Sequence, residues 1–129
     1  MRVDVIPAPV AGWVEFSGLI GAGIGRWRGS GDPVEGSFDV ELHVSLPVHW
    51  SSILVLESDG EEGVELSAVG PTSVDVLGRV LDCDEGGVLS LAVGATHLLL
   101  DTTGEPALGV VGQRVLVHGL ALELFPYEL

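Results

Sequence analysis

Four histidines, one cysteine, nineteen acids and an Arg-Trp-Arg triplet are the side chains with which this chain could do chemistry. Metal ligation is the first to weigh. A zinc site needs three or four close ligands, but His43, His49, His97 and His118 include no H-x-x-x-H pair. Pro47 separates His43 from His49, so those two are not expected to share a face. His118 falls in the row Leu116, His118, Leu120, Leu122, which reads as a core imidazole bonded to a backbone carbonyl. His97 precedes three leucines and suits an interface. Asp82-Cys83-Asp84-Glu85-Gly86 opens like a calcium loop, yet Ala92 stands where a chelating side chain belongs. Neither a metal nor a cofactor is expected.

Nucleophilic chemistry has no better support. Cys83 is the sole cysteine, which rules out an internal disulfide and a thiolate zinc site. Its neighbours Asp82 and Asp84 raise a thiol pKa, the opposite of activation. No G-x-S-x-G motif is present, and no Ser-His-Asp set can be assigned from order. No catalytic residue is assigned, and the chain is read as no enzyme.

Gly21-Ala22-Gly23-Ile24-Gly25 follows a strand and superficially resembles a phosphate cradle. A dinucleotide fingerprint requires G-x-G-x-x-G leading into a helix, and Arg26 occupies the third glycine position. The stretch from Gly21 to Gly31 is therefore expected to be an exposed, flexible loop. Within it lies the one basic cluster, Arg26-Trp27-Arg28. With Trp13 it forms a candidate ligand-binding set, because aromatic stacking plus guanidinium contact is how single nucleic-acid strands are held. A net charge of −14 opposes that use.

The acids themselves are the stronger signal. Glu57, Asp59, Glu61, Glu62 and Glu65 crowd one predicted hairpin tip. A field of this sign repels phosphate backbones and anionic membranes and steers basic partners inward. The chain is also 47% hydrophobic, with a mean hydropathy of +0.48. That excess predicts strands buried on both faces, or a surface covered by a partner or a second copy. The uncharged windows 42–56 and 86–100 fall short of the roughly 18 apolar residues a span requires. Asp4 stands where a signal peptide would place an apolar run. A cytoplasmic protein outside the membrane is expected.

The elements that must position these residues are strands. Valine dominates, Gly and Pro recur, and no long window repeats apolar groups at helical spacing. Strands are predicted over 12–20, 37–45, 52–57, 64–69, 73–82, 88–93, 96–101 and 114–125, the last as one long strand or a strand pair. The clearest alternation is Phe38, Val40, Leu42 and Val44 against Asp39, Glu41 and His43. Residues 58–63 should join their flanking strands as a hairpin, Gly94-Ala95 reads as a type II′ link, and Gly119 marks a bulge. The expectation is a single all-β domain over 1–129, an antiparallel barrel or sandwich of about eight short strands, without an internal repeat.

Residues 73–129 resemble an OB-fold. Val74-Asp75-Val76-Leu77-Gly78-Arg79-Val80 looks like its long first strand bent at a glycine. Two short strands and a connection follow, and then Gly112-Gln113-Arg114-Val115-Leu116-Val117-His118-Gly119. The resemblance implies a barrel that binds a small ligand or single-stranded nucleic acid. In composition alone the chain is similar to small, acidic, cytosolic bacterial immunity proteins and inhibitors. The leading expectation is a non-enzymatic acidic protein that binds a basic protein partner. The OB-like barrel and a self-assembling subunit are the alternatives.

Overall fold

Apolar and polar residues alternate in short runs, and in the computed structural model, which describes residues 1–56 and 65–127, these runs become strands. The expected all-β class holds. Twelve strands and one 3-10 turn (Trp50–Ser52) are found among the described residues. They are β1 (Arg2–Pro7), β2 (Trp13–Gly18), β3 (Gly21–Trp27), β4 (Gly36–Val44), β5 (Val48–His49) and β6 (Ile53–Leu56). After these come β7 (Leu66–Ala68), β8 (Val74–Cys83), β9 (Val88–Val93), β10 (Thr96–Thr103), β11 (Arg114–Leu120) and β12 (Leu122–Pro126). The expectation of about eight omits β1, β3 and β5, and the last expected strand or strand pair is the pair β11 and β12.

Five of the strands close into a barrel. β1 pairs antiparallel with β2, and β2 with β3. β3 then runs parallel to β12, with Arg26 opposite Glu123. β12 pairs antiparallel with β4, and β4 with β1, which completes the ring. Val3, Val5, Val14, Phe16, Val40, Leu42, Leu122 and Leu124 point inward and are buried.

A second circuit has the same order. β8, β9 and β10 form an antiparallel meander, and β10 runs parallel to β5. β11 pairs antiparallel with β6 on one side and β8 on the other. Since β5 and β6 are one stretch broken only by the 3-10 turn, residues 48–56 complete this circuit through the chain itself. Each circuit thus takes its fifth strand from the opposite half of the sequence. Residues 48–56 follow β4 yet serve β8–β11, whereas β12 follows β11 yet serves β1–β4. β7 ties the two together, parallel to β3 and antiparallel to β8.

This arrangement repeats a topology and not a sequence: the hairpin registers set Asp4, opposite Ser17, against Arg79, opposite Ala92. It also bears on the segment 73–129. That segment supplies β8 to β12, but residues 48–56 complete its circuit and its own last strand closes the other barrel.

Three local expectations change. The glycine-rich stretch is no loop over its first seven residues: it is β3, with Gly23 and Gly25 buried. A Cβ on Gly23 would lie 2.4 Å from Leu66 Cδ2, and one on Gly25 would lie 2.2 Å from Leu124 Cδ1. The glycines make room for core leucines arriving from other strands. The strands flanking 58–63 are not each other's partners among the described residues, since β6 pairs with β11 and β7 with β3 and β8. Finally, the register shifts between Val117 and Leu120 at Gly119, whose φ is +72°. The bulge is where it was expected, but it also changes the phase of the strand. Val115, Val117 and Leu120 are buried and His118 faces out, so His118 is not a core imidazole.

Candidate binding cleft

The residues expected to bind a ligand or partner are dispersed. Glu57, Asp59, Glu61 and Glu62 lie outside the described residues. Glu65 is half-buried and lines a recess of about 130 Å³ together with Arg79 and Arg114, so two cations share its surroundings.

The Arg-Trp-Arg triplet is split by strand geometry. Trp13 and Arg26 are paired across β2 and β3 and share the outer face. Trp27, one residue on, turns the other way and packs edge-on against Phe38, ring centroids 5.0 Å apart at 66°. Arg28 donates from Nε to the Glu123 carboxylate. Burial opposes ionisation of Glu123. Hydrogen bonds from Arg28 and Ser45, with the fields of Arg28 and Arg26, outweigh it and hold the carboxyl below its usual range. Arg28 is thus committed to this carboxylate, and Arg26 contributes only its field.

The histidines do not converge either, and no group of three metal-ligating side chains occurs among the described residues. His118 Nδ1 lies 2.6 Å from Asp75 Oδ1, which also accepts the Gly119 N–H at 3.0 Å. This carboxylate therefore fastens the bulge. His49 Nδ1 accepts the Ser51 N–H and starts the 3-10 turn. His43 sits 3.3 Å from Glu41 and stacks on Phe125. The Cys83 thiol is pushed up by burial and by Asp84 and Asp82, as its flanking charges predict.

What the structure adds is a cleft that no sequence motif marks. It has a volume of about 460 Å³ and crosses the outer faces of β1, β2 and β3. Strand register explains its composition. Ile6, Glu15 and Ile24 form one cross-strand row, and Asp4, Ser17 and Ala22 form the next. The small residues Ser17 and Ala22 leave the space. The walls come from the β1–β2 loop (Pro9, Val10) and the turn after β7 (Ala68, Gly70, Pro71). Ile24 faces outward but is only 5% exposed, since it lies at the bottom of the cleft. Phe16 and Gly23 also border it, although their row faces the barrel interior.

The lining is apolar apart from Ser17 and two carboxylates, Asp4 and Glu15, and no arginine or histidine contributes to it. Arg26 stands one pair further along this face, opposite Glu123. Elsewhere Arg2 is paired with Asp39 at 3.3 Å, and Arg79 donates to the Gly112 carbonyl at 2.6 Å. The few cations are thus engaged by the protein's own acceptors, while most of the nineteen acids have no basic counterpart. No helix among the described residues is long and apolar enough to cross a membrane. No family model, curated protein or solved structure matches this chain.

Proposed function

We propose that this protein is a non-enzymatic acidic binding module whose partner is a basic protein, in the manner of an immunity protein or inhibitor. The observation that supports it is the charge arrangement. Arg2 and Arg28 pair with carboxylates of this chain and Arg79 with a carbonyl, which leaves a surface dominated by unopposed acid. Such a surface accelerates association with a cationic protein, and buried apolar anchors supply the affinity. Glu57, Asp59, Glu61 and Glu62 add to the same negative charge.

The test is capture from the native host's lysate on the tagged protein, followed by association kinetics with the captured partner over a salt series. Reversing the charges of Glu57, Asp59, Glu61 and Glu62 should slow association and flatten its salt dependence. If the protein retains only further copies of itself, the binding reading is wrong and self-assembly replaces it.

A second reading has one observation of its own. The cleft covers the second and third strands and first interstrand loop of the closed barrel, the region through which OB-like barrels take oligonucleotides and oligosaccharides. Two carboxylates and no cation in that lining suit a neutral or cationic organic ligand and oppose a phosphate backbone. Quenching of Trp13 fluorescence by such a ligand, and not by an oligonucleotide, is the result this reading requires.

A further inference from the structure

We infer that the cleft across β1, β2 and β3 is the docking groove for a segment of the basic partner that carries an apolar side chain beside a lysine or arginine. This assignment rests on the basic-partner reading above and adds the place and the recognised chemistry. Ile6 and Val10 are 53% and 40% exposed and flank an apolar floor at Ile24. Such a surface accepts one large aliphatic or aromatic anchor, the side-chain type that carries most interface energy.

The charges fix what stands next to that anchor. Asp4 pairs with Ser17, and Glu15 lies two positions from Ser17 on the same face of β2. Asp4 and Glu15 are therefore diagonal neighbours, with backbone positions about 7–8 Å apart. One ammonium or guanidinium group can reach both carboxylates from that position. Among the described residues neither acid is in an ion pair.

The experiment is an amide-resolved NMR titration of the labelled protein with three capped hexapeptides: alternating Leu-Lys, alternating Leu-Glu and alternating Ser-Lys. The Leu-Lys peptide should shift the amides of Asp4, Ile6, Glu15 and Ile24. The Leu-Glu peptide should leave them unmoved, and Ser-Lys should bind at least ~10-fold more weakly, since it lacks the anchor. D4N/E15Q should weaken Leu-Lys binding about 10-fold at low salt. D32N/E35Q removes the same total charge outside the cleft and should change binding less than about twofold. Ala22→Phe, which fills the cleft and keeps both acids, should abolish the shifts while the remaining spectrum stays native.

Equal effects of D4N/E15Q and D32N/E35Q would overturn the assignment. So would shifts from Leu-Lys confined to another face; in that case the basic-partner reading survives and only its location falls. If neither lysine peptide binds anywhere, both fall together. Binding of an amphipathic amine such as octylamine in place of any peptide would make the cleft a small-molecule site and overturn the docking assignment.

Discussion

Gly25→Ala is the perturbation that most directly separates a packed strand from a flexible loop at residues 21–25. In a loop, alanine at a compatible backbone would be neutral or would stabilise by about 0.4–1 kcal/mol through the unfolded chain. In β3 the new methyl arrives 2.2 Å from Leu124 Cδ1 and 3.2 Å from the Leu122 carbonyl. Leu124 is fully buried, so its side chain cannot swing into solvent and must press on the core. Overpacking of this kind costs about 1–3 kcal/mol, and subtracting the unfolded-state gain leaves about 1–2 kcal/mol of net destabilisation. With a urea slope of roughly 2 kcal/mol per molar, the midpoint should fall by about 0.5–1 M with the slope unchanged. Gly70→Ala is the control, because its Cβ meets nothing closer than 4.0 Å. The double variant Gly25→Ala/Leu124→Ala should be more stable than the sum of its parts by about 1 kcal/mol, since removing the leucine relieves the clash. Strict additivity, or a neutral Gly25→Ala, would refute the packing argument.

Other outcomes follow from single contacts. Glu123 is held below its ordinary range by Arg28, Ser45 and Arg26. The folded form keeps this charge to lower pH than the unfolded form does. The stabilisation is therefore complete above about pH 4.5 and drains as pH falls through the folded value. Glu123→Gln should remove that acid-side slope from thermal melts and cost about 1–2 kcal/mol at neutral pH. Asp75→Ala removes the acceptor for the Gly119 N–H and the partner of His118; a loss of about 1–2 kcal/mol is expected, with His118→Ala costing clearly less. Cys83 should react with Ellman's reagent at pH 8 more slowly than free cysteine, and D82N/D84N should speed it, because both acids oppose the thiolate.

Local pattern made much of the fold legible. The alternation at 37–45 is β4, the runs at 88–93 and 96–101 are β9 and most of β10, and Gly94-Ala95 joins them with Gly94 at φ +59°. Asp84 makes its predicted turn by accepting the Val88 N–H at 2.8 Å. The failures share a physical cause: in each, tertiary packing outweighed local composition. Alternating glycines at 21, 23 and 25 look unstructured until Leu66 and Leu124 are known to fill the space beside Gly23 and Gly25. His118 follows a hydrophobic row on paper, but the bulge at Gly119 inverts the strand's faces. The cleft lay beyond local reading as well. Its residues are spread over three strands and two loops, and only register brings Asp4 and Glu15 onto one diagonal. The repeated strand order left no matching sequence signal, because the registers of the two circuits align unlike residues such as Asp4 and Arg79.

The crossing of fifth strands sets the order in which this molecule can be made. On a ribosome, β1 to β4 emerge first, yet their barrel stays open until β12 has emerged. Arg28 must wait for Glu123, a partner 95 residues away. Residues 48–56 likewise wait for β10 and β11 before they are held on both sides. Neither half can mature alone, so the nascent chain carries an unsealed apolar interior until these strands arrive. Contacts of such long separation slow folding and expose strand edges to aggregation. The same linkage works in reverse once the chain is finished: opening one half pulls a strand from the other, so the two halves should melt as one cooperative unit.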